Sequence, residues 1–128
     1  MNRKTWVALL ALVLMAALLL AGCRKAAEGE KTFTLEVIHK DDSAKKITLT
    51  STAGYLGECL QAEGIISGEE GPYGLYIHVV DGEKAVFEED GAYWAFYEGD
   101  TYAATGIDKT PITDGAVYRL VYTIDAQG

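Results

Sequence analysis

A chain of 128 residues with 19 acidic and 11 basic side chains, net charge −8, has room for one ordinary domain and no second core. That balance excludes nucleic acid as a partner, because binding a phosphate backbone is mostly neutralisation by Lys and Arg. The imbalance is also local: from Ile47 to Asp108 twelve acids face one base, Lys84, so a partner of that surface is expected to be cationic, metallic or neutral. The plainer role of such charge is to keep the surface soluble.

In chain order, Arg3 and Lys4 precede an apolar run over residues 6–20 that closes on Leu20-Ala21-Gly22-Cys23. Basic residues stay on the cytoplasmic side, the apolar segment enters the bilayer, and small residues before the cysteine admit a peptidase to the backbone. Residues 6–22 number 17, the short limit of the roughly 17 to 25 that cross a bilayer as a permanent helix. The pattern resembles the lipobox of bacterial lipoproteins. What that resemblance implies is a signal peptide over residues 1–22, a diacylglyceryl group on the Cys23 thiol, and an extracytoplasmic domain held to the bacterial cell membrane by lipid. Loss of Arg3 and Lys4 would take the net charge from −8 to −10. Residues 23–31 follow as a tether, and at about 3.3 to 3.6 Å per residue its charged stretch reaches less than ~30 Å.

Residues 32–125 are expected to form the domain. Phe33, Leu35 and Val37 alternate with Thr32, Thr34 and Glu36. Past an Asp41-Asp42-Ser43 turn, Ile47 and Leu49 alternate again, predicting a first hairpin. Ser51 or Thr52 is the expected N-cap of a short helix with Leu56, Cys59 and Leu60 on one stripe and Gly64 just past its end. Residues 75–80 read as a strand ended by Asp81-Gly82, and residues 85–88 as a short accessory strand before Asp90-Gly91. Tyr93 to Tyr102 hold five of the thirteen aromatic residues. Alternation sets Trp94 and Phe96 on one face of a central strand and Tyr93 and Tyr97 on the other, and Glu98-Gly99-Asp100 turns the chain back. After corners at Thr105-Gly106-Ile107 and residues 111–115, Tyr118, Leu120, Tyr122 and Ile124 alternate in a last strand. The expected fold class is α+β: a β-grasp-like mixed sheet with one short helix packed on one face.

With the helix of residues 54–64, Tyr93-Trp94, the Gly99 hairpin, Gly106 and the Asp114-Gly115 turn in that order, residues 32–124 resemble the transcobalamin-like C-terminal domain, a family common on bacterial surface proteins. Glu98-Gly99 replaces the usual Asn-Gly, and Ala116 stands where the family often carries an acid. The family has no assigned function of its own; its link to the cobalamin carriers makes cobalamin or another corrinoid the candidate cofactor of a small binding domain. The carriers that give the family its name hold the vitamin against a large helical domain that this chain lacks.

The chemistry-bearing residues are sparse. Neither His39 nor His78 has a second His or Cys at ligand spacing, so each is expected to be a hydrogen-bonded strand residue, and no metal site is assigned. Cys59 reads as a small buried hydrophobe. The acids at Asp81, Glu83 and residues 88–90 lack the EF-hand pattern and read as solvated turns. With no nucleophile elbow, HExxH, phosphate loop or CxxC, no catalytic residue is assigned and the chain is expected not to be an enzyme. Candidate ligand or partner residues are Tyr93, Trp94, Tyr97 and Tyr102. Of these, Tyr93, Tyr97 and Tyr102 would make a flat amphipathic platform if they face outward. Two functions follow: an extracytoplasmic lipoprotein binding a corrinoid or other small ligand, or a module holding an envelope protein or polysaccharide.

Overall fold

The computed structural model describes residues 26–125. The signal segment and Cys23 lie outside the described residues. Two sheets are present. Strands β1 (Lys31–Ile38), β2 (Ala44–Ser51), β6 (Ala92–Glu98), β7 (Thr101–Tyr102) and β8 (Val117–Ile124) form a five-stranded sheet in the order β2-β1-β8-β6-β7. β1 and β8 run parallel at its centre, with Leu35 opposite Tyr118 and Val37 opposite Leu120, and the remaining pairs are antiparallel. This is a β-grasp-like mixed sheet in an α+β domain. A second, three-stranded sheet is made of β3 (Ile66–Gly71), β4 (Gly74–Val80) and β5 (Glu83–Lys84).

One face of the large sheet is the core. Phe33, Leu35, Val37, Trp94, Phe96, Tyr118 and Leu120 are buried there with Leu56, Cys59 and Leu60 of helix α1 (Leu56–Ala62). Period two on the strands and the three-to-four spacing on the helix thus meet in a single apolar layer. Cys59 is the buried hydrophobe expected of its stripe. Tyr118 adds a polar tie: its hydroxyl donates to the Pro111 carbonyl at 3.2 Å and accepts from the Thr113 N–H at 2.9 Å, fixing the corner before β8. A 3₁₀ turn over Ile107–Lys109 packs on α1 so closely that a Cβ on Gly57 would lie 2.8 Å from the Asp108 Cα.

Four local expectations differ from the structure. β1 begins at Lys31, whose ammonium donates to the carbonyls of Ala27 and Ala53 at 2.6 and 2.8 Å, so the last residue assigned to the tether is a strand residue tied into the domain. The N-cap of α1 is Tyr55, because β2 claims Ser51 and Tyr55 bridges to Pro111. Residues 87–90 form a one-turn helix, α2 (Phe87–Asp90), closed by Gly91 at φ 61°, and the short strand lies earlier, at β5. β3 went unforeseen, since its burial runs from one buried residue to five exposed ones without alternation.

Candidate functional site

A cleft of about 290 Å³ opens where the two sheets meet. Its position follows from strand length. β7 pairs only with Tyr97 and Glu98 of β6, leaving residues 92–95 with no strand on that side, and β5 covers only Val79 and Val80 of β4. Leu75, Tyr76 and Ile77 form one wall, Tyr93, Trp94, Phe96 and Tyr102 the other, and residues 105–107 the floor. The Phe96 carbonyl accepts from the Ala103 N–H at 3.1 Å, on the β7 side. By the two-residue alternation of an antiparallel ladder, the backbone N–H and C=O of Trp94 point to that same open edge.

Trp94 is both core and wall. It is 6% exposed, meets Tyr122 edge-to-face at 5.5 Å and His39 at 6.1 Å, and donates its indole N–H to the Glu83 carbonyl at 3.2 Å. Tyr93 and Tyr102 share the cleft rim. Burial, and then the neighbouring Tyr102 and Tyr97 phenols, push the Tyr93 phenol above its ordinary range. Tyr97 does not line the cleft; its ring meets Tyr102 edge-to-face at 5.4 Å and 86°. The Tyr97 and Tyr102 rings do not lie in one plane as the flat platform would have them: they stand perpendicular, and the two-residue hairpin sets Tyr97 directly opposite Tyr102. Three of the four aromatic residues picked out from sequence come together, around a concavity rather than on a plane.

Two features escaped the sequence reading. Asp108 stands beside the cleft floor with its Oδ1 shielded from water and without a hydrogen-bond partner; a Cβ on Gly74 or Gly106 would lie 2.8 Å from that oxygen. His39, on the β1–β2 turn, reaches the β4–β5 turn: its Nδ1 is 3.0 Å from Glu83 Oε1 and its Nε2 3.0 Å from Asp81 Oδ2. Lys45 Nζ also contacts Asp81, at 3.0 Å. Burial depresses the His39 imidazole, but the hydrogen bonds to Glu83 and Asp81 outweigh it and hold the group above its ordinary value. Hydrogen bonding from Lys45, ahead of that from His39, holds the Asp81 carboxyl below the usual carboxylate range. Only the turn glycine after Asp81 signalled this cluster, since its members lie some forty residues apart.

No family model and no curated protein matches the chain. Among solved structures, a metal-binding candidate from Ruminococcus gnavus is similar at 35% identity and a TM-score of 0.70, over 74% of this chain and 98% of that one. Haptocorrin in complex with Cbi shares the fold at 16% identity and a TM-score of 0.59, over 76% of this chain and 26% of that one. Among the described residues no group of three His, Cys, Asp or Glu side chains is placed to hold a metal ion. At His39, Asp81 and Glu83 both ring nitrogens are already engaged by the carboxylates, and Lys45 fills the place a cation would take.

Proposed function

We propose, from the premise that the chain belongs to the same family as the Ruminococcus gnavus protein, that it is a non-enzymatic domain binding a small ligand in the cleft between β4 and β6. The observation that carries this reading is the concavity itself: an aromatic wall at an open sheet edge, towards which the Trp94 backbone groups point, with an unpartnered acceptor at Asp108 nearby. A mostly apolar recess with a few convergent polar groups is the usual form of a ligand site. Ligand pockets run from roughly 300 to 1,000 Å³, so this one takes a small ring system whole or the rim of a corrinoid. Glu69, Glu70 and Glu88 lie around the adjoining hairpin, which favours a neutral or cationic ligand over an anion. The fold shared with haptocorrin supports a transcobalamin-like domain and makes a corrinoid the first ligand to try. Lipidated Cys23 would hold the domain at the outer surface of the cell membrane.

The test is a titration of the full chain carrying Trp6→Phe, in which Trp94 is the one indole, with cobinamide, followed by absorbance and by Trp94 fluorescence. Binding should weaken at least about tenfold in Tyr93→Ala and in Tyr102→Ala, the loss of about 1.4 kcal/mol that one rim aromatic can supply. The unfolding midpoint of Tyr102→Ala should stay close to wild type, because that side chain is 60% exposed. No binding by the wild-type chain would remove the corrinoid. No effect of either substitution would remove the cleft and favour an envelope protein or polysaccharide on another surface.

A further inference from the structure

We propose that His39 is a proton-operated clasp that sets the width of the β4–β6 cleft. The claim rests on that cleft being the binding site and concerns its regulation. Each ring nitrogen of His39 lies 3.0 Å from a carboxylate oxygen, Glu83 Oε1 on one side and Asp81 Oδ2 on the other. A carboxylate can only accept, and a neutral imidazole carries one N–H, so both bonds exist together only in the imidazolium. Loss of the proton therefore removes one of the two and sets a lone pair against a carboxylate.

The consequence reaches the cleft through Glu83. Its side chain takes His39 and the Lys40 N–H at 2.9 Å, while its backbone carbonyl takes the Trp94 indole at 3.2 Å. Its strand, β5, pairs with Val79 and Val80 of β4, the strand that bears Leu75, Tyr76 and Ile77. One residue thus ties the aromatic wall on β6 to the opposite wall on β4, and His39 fixes that residue to the large sheet. The charged groups around His39 are Glu83 on β5, Asp81 on the β4–β5 turn with Lys45 of β2 against it, and Lys40 and Asp41 on its own turn; from β6 the Trp94 ring meets it edge-to-face. Lys45 remains on Asp81 and the Lys40 N–H on Glu83 whatever the state of His39, so loss of the proton weakens the tie between the His39 turn and Glu83 without severing it.

The sign follows from the raised value for His39. Its contribution is fully present below the unfolded value of about 6.5 and is lost as pH rises through the folded one. Asp81, held low, keeps its own contribution until pH falls below about 3.9, so the clasp is closed between those limits. A change from mildly acidic to mildly alkaline medium would loosen the cleft without unfolding the sheet.

The test uses the full chain with Trp6→Phe, so that Trp94 is the only indole, from about pH 5 to about pH 9. Nitrogen NMR of His39 should show protons on both ring nitrogens below a midpoint above 6.5, and acrylamide quenching of Trp94 should rise across that same midpoint. His39→Asn should abolish the pH dependence of quenching, and Glu83→Gln, which keeps the shape of the side chain, should move the midpoint down. A His39 ring with a single proton at pH 6, or a quenching transition that persists in His39→Asn, would overturn the clasp. None of these readouts needs a ligand. Failure of cobinamide to bind would therefore count against the proposed function and leave the clasp standing.

Discussion

Trp94 shows how a single side chain serves packing and site together. Its ring is almost wholly withdrawn from water against Tyr122 and His39, and its N–H has a partner, so the indole carries no unsatisfied group into the core. Trp94→Ala should therefore cost on the order of 3 to 5 kcal/mol in chemical denaturation, as large core truncations do. Trp94→Phe keeps most of the buried area and loses the bond to the carbonyl of partly exposed Glu83, which water can reach, so its cost should be about 1 kcal/mol, the net contribution of one hydrogen bond. Native Trp94 emission should be blue-shifted. A solvent-like emission with a near-neutral Trp94→Ala would place the indole outside the core. The pairing of Trp94 with Phe96, opposite Tyr93 and Tyr97, was readable from sequence because alternation is a local property; which of the two faces is core was not, since large rings stand on both. The perpendicular setting of Tyr97 and Tyr102 was not readable, because it depends on a register across the hairpin.

Among the elements, those with a strong period were legible and those without one were not. On β1 and over most of β8 the buried residues fall where the alternation puts them, Phe33, Leu35 and Val37 on β1, Tyr118 and Leu120 on β8; on β6 Trp94 and Phe96 follow it while Ala95 between them is buried as well. β3 is specified instead by pairing with β4 through a bulge at Ser67–Gly68, a tertiary constraint that leaves little trace in ISGEEG. The cleft was out of reach for the same reason, since it lies between two strand edges that are distant in sequence. Contact of α1 with the 3₁₀ turn sets a prediction of its own. Ala is favoured over Gly within a helix by about 1 kcal/mol, but a Cβ at position 57 would lie 2.8 and 2.9 Å from the Asp108 Cα and N, where backbone must yield. Overpacking of that kind costs roughly 1 to 3 kcal/mol, so Gly57→Ala should lower the unfolding midpoint, and a raised midpoint would show that the turn can retreat.

On the scale of the whole molecule, the clasp and the cleft sit at one side of a domain whose large sheet runs on unbroken from β2 to β6. The three-stranded sheet is tied to it through packing, through Glu83 and through Asp81, which meets His39 and Lys45. The proposed place at the membrane is tested at Cys23. Cys23→Ala should abolish incorporation of labelled fatty acid and leave an unprocessed precursor; continued labelling of the variant would show that another residue carries the lipid.

The parallel pairing of β1 with β8 also has a mechanical meaning. Thr34 lies beside Val117 and Ile38 beside Val121, so the two strands start at one end of the sheet and finish at the other. A pull applied at Lys31 and at Ile124 runs along both strands in opposite directions. It loads their slanted, evenly spaced hydrogen bonds side by side, in shear, and does not peel them one after another. Under tension between Lys31 and the far end of β8, the centre of the sheet would yield only when several of those bonds break together.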